Sequence, residues 1–159
     1  MAVFYSFHYD RDSWRVQQII NMGVIEGQPL LNSQDWEAVR RRGDAAIKKW
    51  IDEQMKYKQA VVVLIGAQTA SRRWVLYEIG KAWEERRPLV GVRIHGLKDA
   101  NQQIDYAGTD PFTQVETQDG YPLSTWVPVF NPSGSNSQAV HASIKASLAS
   151  WVTQAYKRT

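Results

Sequence analysis

Ala60-Val61-Val62-Val63-Leu64-Ile65-Gly66, followed a few residues on by Ser71-Arg72-Arg73-Trp74-Val75-Leu76-Tyr77-Glu78-Ile79, decides how this chain folds. The first stretch is continuously apolar and rich in β-branched residues, as a strand buried on both faces of a parallel sheet must be. Gly66 closes it. The second stretch predicts a helix from about Ser71 to Arg86, started by a Thr69 or Ser71 cap and stopped before Pro88. Trp74 and Glu78 stand four residues apart, on one face of that helix. A carboxylate thereby falls beside an indole near the carboxyl edge of the sheet, where open α/β folds take their ligands.

Working outward, Val3 to Phe7 reads as a first strand, His8 to Asp12 as a polar loop, and Ser13 to Met22 as a helix. Gly27 and Pro29 leave Val24 to Leu31 as a short edge strand or an extended loop. Ile47, Trp50, Ile51 and Met55 recur at helical spacing, so Ala45 to Lys58 is an amphipathic helix that Asp44 can cap. Leu89 to Ile94 is a further strand. From about 96 to 125 the chain is polar and irregular, with turn signals at Asp110-Pro111 and Asp119-Gly120, and its length suits a lid or a partner surface. Trp126 to Phe130 reads as the last strand. A closing helix runs from about 137 to 156, with Val140, Ile144, Leu148, Trp151 and Val152 as its inner stripe.

Strands alternating with helices over short connections predict an α/β fold. The expected form is a flavodoxin-like three-layer sandwich around a mostly parallel sheet of about five strands. All 159 residues are expected in a single domain.

Composition removes several functions. There is no cysteine, so disulfides and thiolate sites are excluded. His8, His95 and His141 lack metal-ligand spacing, and no metal is expected. Gly-x-Gly-x-x-Gly, the P-loop pattern and a Gly-x-Ser-x-Gly elbow are all missing. The net charge of +3 does not argue for nucleic acid, and Arg40-Arg41-Arg42 reads first as a solvated helix start or loop and second as a phosphate contact. No apolar run is long enough to cross a membrane, and no signal region opens the chain, so a cytoplasmic, membrane-free protein is expected. Of the seven Trp residues, Trp14, Trp36 and Trp74 are expected near one edge of the sheet.

Three ordered blocks carry a resemblance: Val3-Phe4-Tyr5-Ser6-Phe7-His8-Tyr9, then Trp36-Glu37, then Ser71 to Ile79 with its Ser-x-x-Trp-x-x-x-Glu pattern. Together they resemble the TIR-like domains of bacterial Thoeris antiphage defence, the ThsB type, from Val3 to about Phe112. The resemblance implies a TIR-like fold and cleavage of NAD+ at the nicotinamide–ribose bond. It further implies a cyclic or conjugated ADP-ribose signal that activates a separate effector protein. It places the catalytic glutamate on Glu78 and substrate-binding roles on Ser6, Phe7, His8, Trp36 and Trp74. NAD+ would be the substrate and no cofactor would be needed. Homo-oligomers when active, and a phage-derived trigger, belong to the same expectation.

The chemistry suits a carboxylate. Nicotinamide leaves as a neutral molecule, so the transition state is an oxocarbenium-like ribose, and a nearby carboxylate stabilises its charge as in glycosidases. Spacing alone would leave Glu78 an ordinary solvated helical glutamate, and Trp74 a core residue. Two alternatives stand beside the enzyme. One is a non-catalytic TIR-like adaptor acting by homotypic assembly. The other is a response-regulator-like domain, which would end its third strand in a phosphoacceptor Asp where this chain has Ile65-Gly66-Ala67.

Overall fold

A computed structural model describes residues 1–159. Five strands, β1 (Ala2–Ser6), β2 (Glu26–Gly27), β3 (Ala60–Ile65), β4 (Leu89–Arg93) and β5 (Val129–Phe130), form one sheet in the order β2, β1, β3, β4, β5. Every pairing is parallel. This is the flavodoxin-like order, with the chain reversing direction across the sheet between β1 and β3.

The apolar run of β3 is buried along its whole length, and its alternation feeds two cores. Val62 and Leu64 pack with Val16 and Ile19 of α1 (Tyr9–Asn21) and with Val140, Ile144, Leu148 and Val152 of α5 (Ser137–Thr153). Val61, Val63 and Ile65 face Ile47, Ile51 and Met55 of α3 (Asp44–Met55) and Val75, Ile79 and Ala82 of α4 (Arg73–Glu84). Two helices on each face make the expected three layers. Trp151, the outermost member of the α5 stripe, stacks on Phe130 at 5.3 Å.

Several local expectations are corrected. Residues 8–12 are not a loop: α1 begins at Tyr9, because the His8 side chain accepts from the Arg11 backbone N–H and caps it. A further helix, α2 (Ser33–Arg41), was not expected; it buries no residue fully and so shows no apolar stripe to read. Arg40-Arg41-Arg42 closes that helix rather than starting one, where cations suit the negative end of the dipole. Gly43, at φ +92°, is the N-cap of α3, and Asp44 is its first residue, without a side-chain cap bond. Neither Thr69 nor Ser71 caps α4; both lie in a 3-10 turn, and the cap position is Arg72. The last strand is only Val129–Phe130, with Trp126 outside it.

Residues 96–125 are irregular apart from 3-10 turns at Pro111–Gln114 and Leu123–Thr125. They are nonetheless built into the core: Leu97, Phe112 and Leu123 are fully buried.

β2 is two residues long, so it pairs only with the start of β1. Beyond it a side chain takes over the ladder. Gln28 accepts from the Tyr5 N–H at 2.8 Å and donates to the Tyr5 carbonyl at 2.7 Å, as a strand neighbour would. The edge of the sheet is thereby satisfied without a backbone strand, and the space beside it is left open.

Candidate active site

That space is a cavity of about 310 Å³ at the carboxyl end of β1, within the size range of small-molecule sites. Its walls come from the β1–α1 junction, the 28–31 segment, α2, α3 and the amino end of α4.

Glu78 lies on its wall and is 7 % exposed. Its position follows from helical spacing: Val75 and Ile79 fix the inner face of α4 in the core, and Glu78 shares the flank with Trp74. The partner of its carboxyl is Ser6, whose Oγ donates to Oε1 at 2.7 Å. Burial pushes the Glu78 carboxyl up to about 8, and the Ser6 hydrogen bond opposes part of that rise. A buried acid that is mostly protonated at neutral pH ionises when a cation approaches, and such poised groups cluster at functional sites.

Aromatic rings make up much of the rest of the wall. Tyr9 and Trp36 lie 5.1 Å apart, and Trp36 meets Trp50 edge-on at 5.9 Å. Phe7 packs on Tyr9 at 6.1 Å, and Trp74 meets Tyr77 edge-on at 5.7 Å. Rings so placed offer a planar heterocycle faces to stack on. The Tyr5 hydroxyl and Trp36 Nε1, both on cavity-lining residues, are buried without a hydrogen-bond partner in the protein. Burial holds the His8 imidazole below its ordinary range, and the Arg72 charge adds to that. His8 is therefore neutral at pH 7. Because Nδ1 accepts the capping bond, its proton sits on Nε2.

Residues 4–99 match the family described as Thoeris protein ThsB, TIR-like domain, and every residue lining the cavity falls inside that match. The chain belongs to the ThsB TIR-like family. It is 35% identical, over 121 residues, to a protein of Bacillus cereus (strain MSX-D12) named "Putative cyclic ADP-D-ribose synthase ThsB1". The alignment covers 73% of this chain and 63% of that relative, so the chain spans less than two thirds of the relative's length.

In this ThsB-type domain the residues named from sequence come together unequally. Phe7, His8, Trp36, Trp74 and Glu78 all line the cavity. Ser6 is fully buried and stands behind Glu78, not on the cavity wall. Trp14 is elsewhere, exposed on α1 against Gln18 and His141. Arg11, on the same helix, pairs with Asp105 at 2.8 Å and does not line the cavity. Asp10, Trp50, Arg72 and the 28–31 segment were missed. Pro29, Leu30 and Leu31 carried no periodic signal, and Asp10 was hidden by reading its segment as a loop.

Proposed function

We propose that this ThsB-type domain cleaves NAD+ at the nicotinamide–ribose bond and converts the remainder into a cyclic or conjugated ADP-ribose signal. One observation carries the reading: a buried carboxyl group, Glu78, held by Ser6 on the wall of an aromatic-lined cavity. The family membership, and a relative named for cyclic ADP-D-ribose synthesis, support it.

The chain's residues divide the work. Phe7, Tyr9, Trp36 and Trp74 offer faces to the nicotinamide or adenine ring, and His8 Nε2–H is a donor for a carbonyl or hydroxyl. The cationic nicotinamide favours loss of the Glu78 proton. The C1′–N bond then breaks with its electron pair passing to nicotinamide, and the Glu78 carboxylate stabilises the positive charge left on the ribose. Capture of C1′ by a nitrogen of the substrate's own adenine, with loss of one proton, gives a cyclic product. Capture by water, also with loss of a proton, gives ADP-ribose. A hydrophobic, ring-walled site favours the first by limiting water.

Action as a homo-oligomer, a phage-derived trigger, and a separate effector reached through the diffusible product are part of the same proposal. The test is mass spectrometry of NAD+ incubated with concentrated protein, wild type beside Glu78→Gln, with and without lysate of phage-infected cells. Nicotinamide and an ADP-ribose-derived product from wild type alone are expected. No turnover and no NAD+ binding under any condition would favour the adaptor.

A further inference from the structure

Three charged side chains from three different helices meet at the mouth of the cavity. Asp10, in the first turn of α1, accepts from Arg40 Nη1 of α2 at 3.3 Å, a donor that Arg40 shares with Glu37 of its own helix at 3.1 Å. The other oxygen of Asp10 lies 3.8 Å from Arg72 Nη2, at the head of α4. All three residues are exposed and all three line the cavity. The two contacts of Asp10 are loose: a close charge-assisted Arg–carboxylate bond runs at about 2.7–2.9 Å. Arg73, next in sequence, is committed elsewhere, to Asp44 at 2.7 Å and to the face of Trp74.

The same place is the amino end of α4. Its cap residue, Arg72, supplies no side-chain cap bond, and Ser71 to Val75 all contribute to the cavity wall. Two guanidinium groups thus converge above the positive end of a twelve-residue helix. What stands between them is a carboxylate of the protein itself, held at distances that use neither arginine's paired donors.

We propose that Asp10 is a built-in substitute for a diphosphate, displaced when the diphosphate of a dinucleotide binds between Arg40 and Arg72. The identity of the dinucleotide rests on the NAD+-cleaving reading, whereas the anion subsite does not. The exchange is favourable because an exposed ion pair contributes little, while a diphosphate offers two charges and enough oxygens for both planar forks. The displaced Asp10 stays beside the bound anion and repels it. Asp10 therefore sets a threshold: it weakens every anion, and only a ligand with at least two negative charges overcomes it.

The test uses the full chain with ADP and inorganic pyrophosphate as probes, by titration calorimetry at fixed low salt. Asp10→Asn is expected to bind each probe up to about fivefold more tightly than wild type, the scale of one exposed ion pair. Arg72→Gln should bind at least about tenfold more weakly, the scale of a lost charge-assisted bond. Arg41→Gln, on the same helix as Arg40 but off the cavity wall, should stay within about twofold, as distant exposed charges are screened. Equal or weaker binding by Asp10→Asn, or no binding of either probe by it, overturns the proposal. So does a loss in Arg41→Gln matching that in Arg72→Gln. Nicotinamide release measured alongside, with and without lysate of phage-infected cells, separates the two readings: the expected probe ranking with no NAD+ cleavage under either condition sinks the enzyme and keeps the subsite, and the reverse sinks only the subsite.

Discussion

Ser6 Oγ donates to Glu78 Oε1 at 2.7 Å across 72 residues of sequence, tying the end of β1 to the middle of α4. Both side chains are buried, so the bond is shielded from water and fixes the carboxyl where the sheet edge opens. It also acts on the proton, since a hydroxyl donating to a carboxylate favours the ionised form.

Ser6→Ala should therefore do two things. A lost hydrogen bond to a charged group is worth about 1.5–3 kcal/mol, so kcat/KM for nicotinamide release should fall roughly tenfold to a hundredfold. The profile of kcat/KM against pH should also move. In wild type it rises with pH toward an inflection at about 8 as Glu78 ionises, and without Ser6 that inflection shifts upward. A fall in rate with the inflection unmoved would make Ser6 a packing residue only.

Glu78 leaves a mark on stability as well. Its folded value is raised to about 8 from an ordinary 4.5, so between those limits the folded protein holds a proton that the unfolded chain has released. The stabilising contribution is complete below about pH 4.5 and is lost as pH rises through 8. Glu78→Gln has no such loss. Its melting temperature should exceed that of wild type by a margin that widens from pH 5 to pH 8 and then levels off. A margin that stays flat over that range would mean that the carboxyl is already ionised in the folded state throughout it.

Expectation and structure part where polar residues do the work of apolar ones. β3 and the inner faces of α3, α4 and α5 were legible because burial on a regular element imposes a period on the sequence. Glu78 was legible only through its family signature, since spacing alone does not separate a buried glutamate from a solvated one. α2 escaped because none of its residues is fully buried. Gln28 reads as part of a loop, yet its amide replaces a strand. Asp12 reads as part of a polar loop and Arg15 as an unremarked charge on the first helix, but both are buried.

The Asp12–Arg15 pair latches α1 to the irregular segment. Arg15 binds Asp12 at 2.9 Å and donates to the carbonyls of Leu97 and Gln103, while burial pushes the Asp12 carboxyl up against the opposing pull of Arg15. Arg15→Met would strand a buried carboxylate and cost about 3–5 kcal/mol in urea unfolding. Asp12→Leu/Arg15→Met removes both charges and should recover at least about half of that. A double variant less stable than Arg15→Met would mean that the carbonyl bonds to Leu97 and Gln103 matter more than the charge pair.

The irregular segment is held on its other side by Phe112, whose ring lies against Gly91 of β4. A Cβ at Gly91 would fall 3.0 Å from Phe112 Cε2 and 2.9 Å from Ile65 Cδ1, so the glycine makes room for both side chains. Phe112→Ala should lower stability by about 3–5 kcal/mol, the cost of emptying a buried phenylalanine site. Gly91→Ala should lower it by about 1–3 kcal/mol through overpacking. Combined, the two should cost less than their sum, because the new methyl enters space that the ring has left. Urea unfolding of the two single variants and the double variant measures this directly. Strict additivity would mean that Ile65 and Val129, the other neighbours of that Cβ, set the limit at Gly91 and that Phe112 does not.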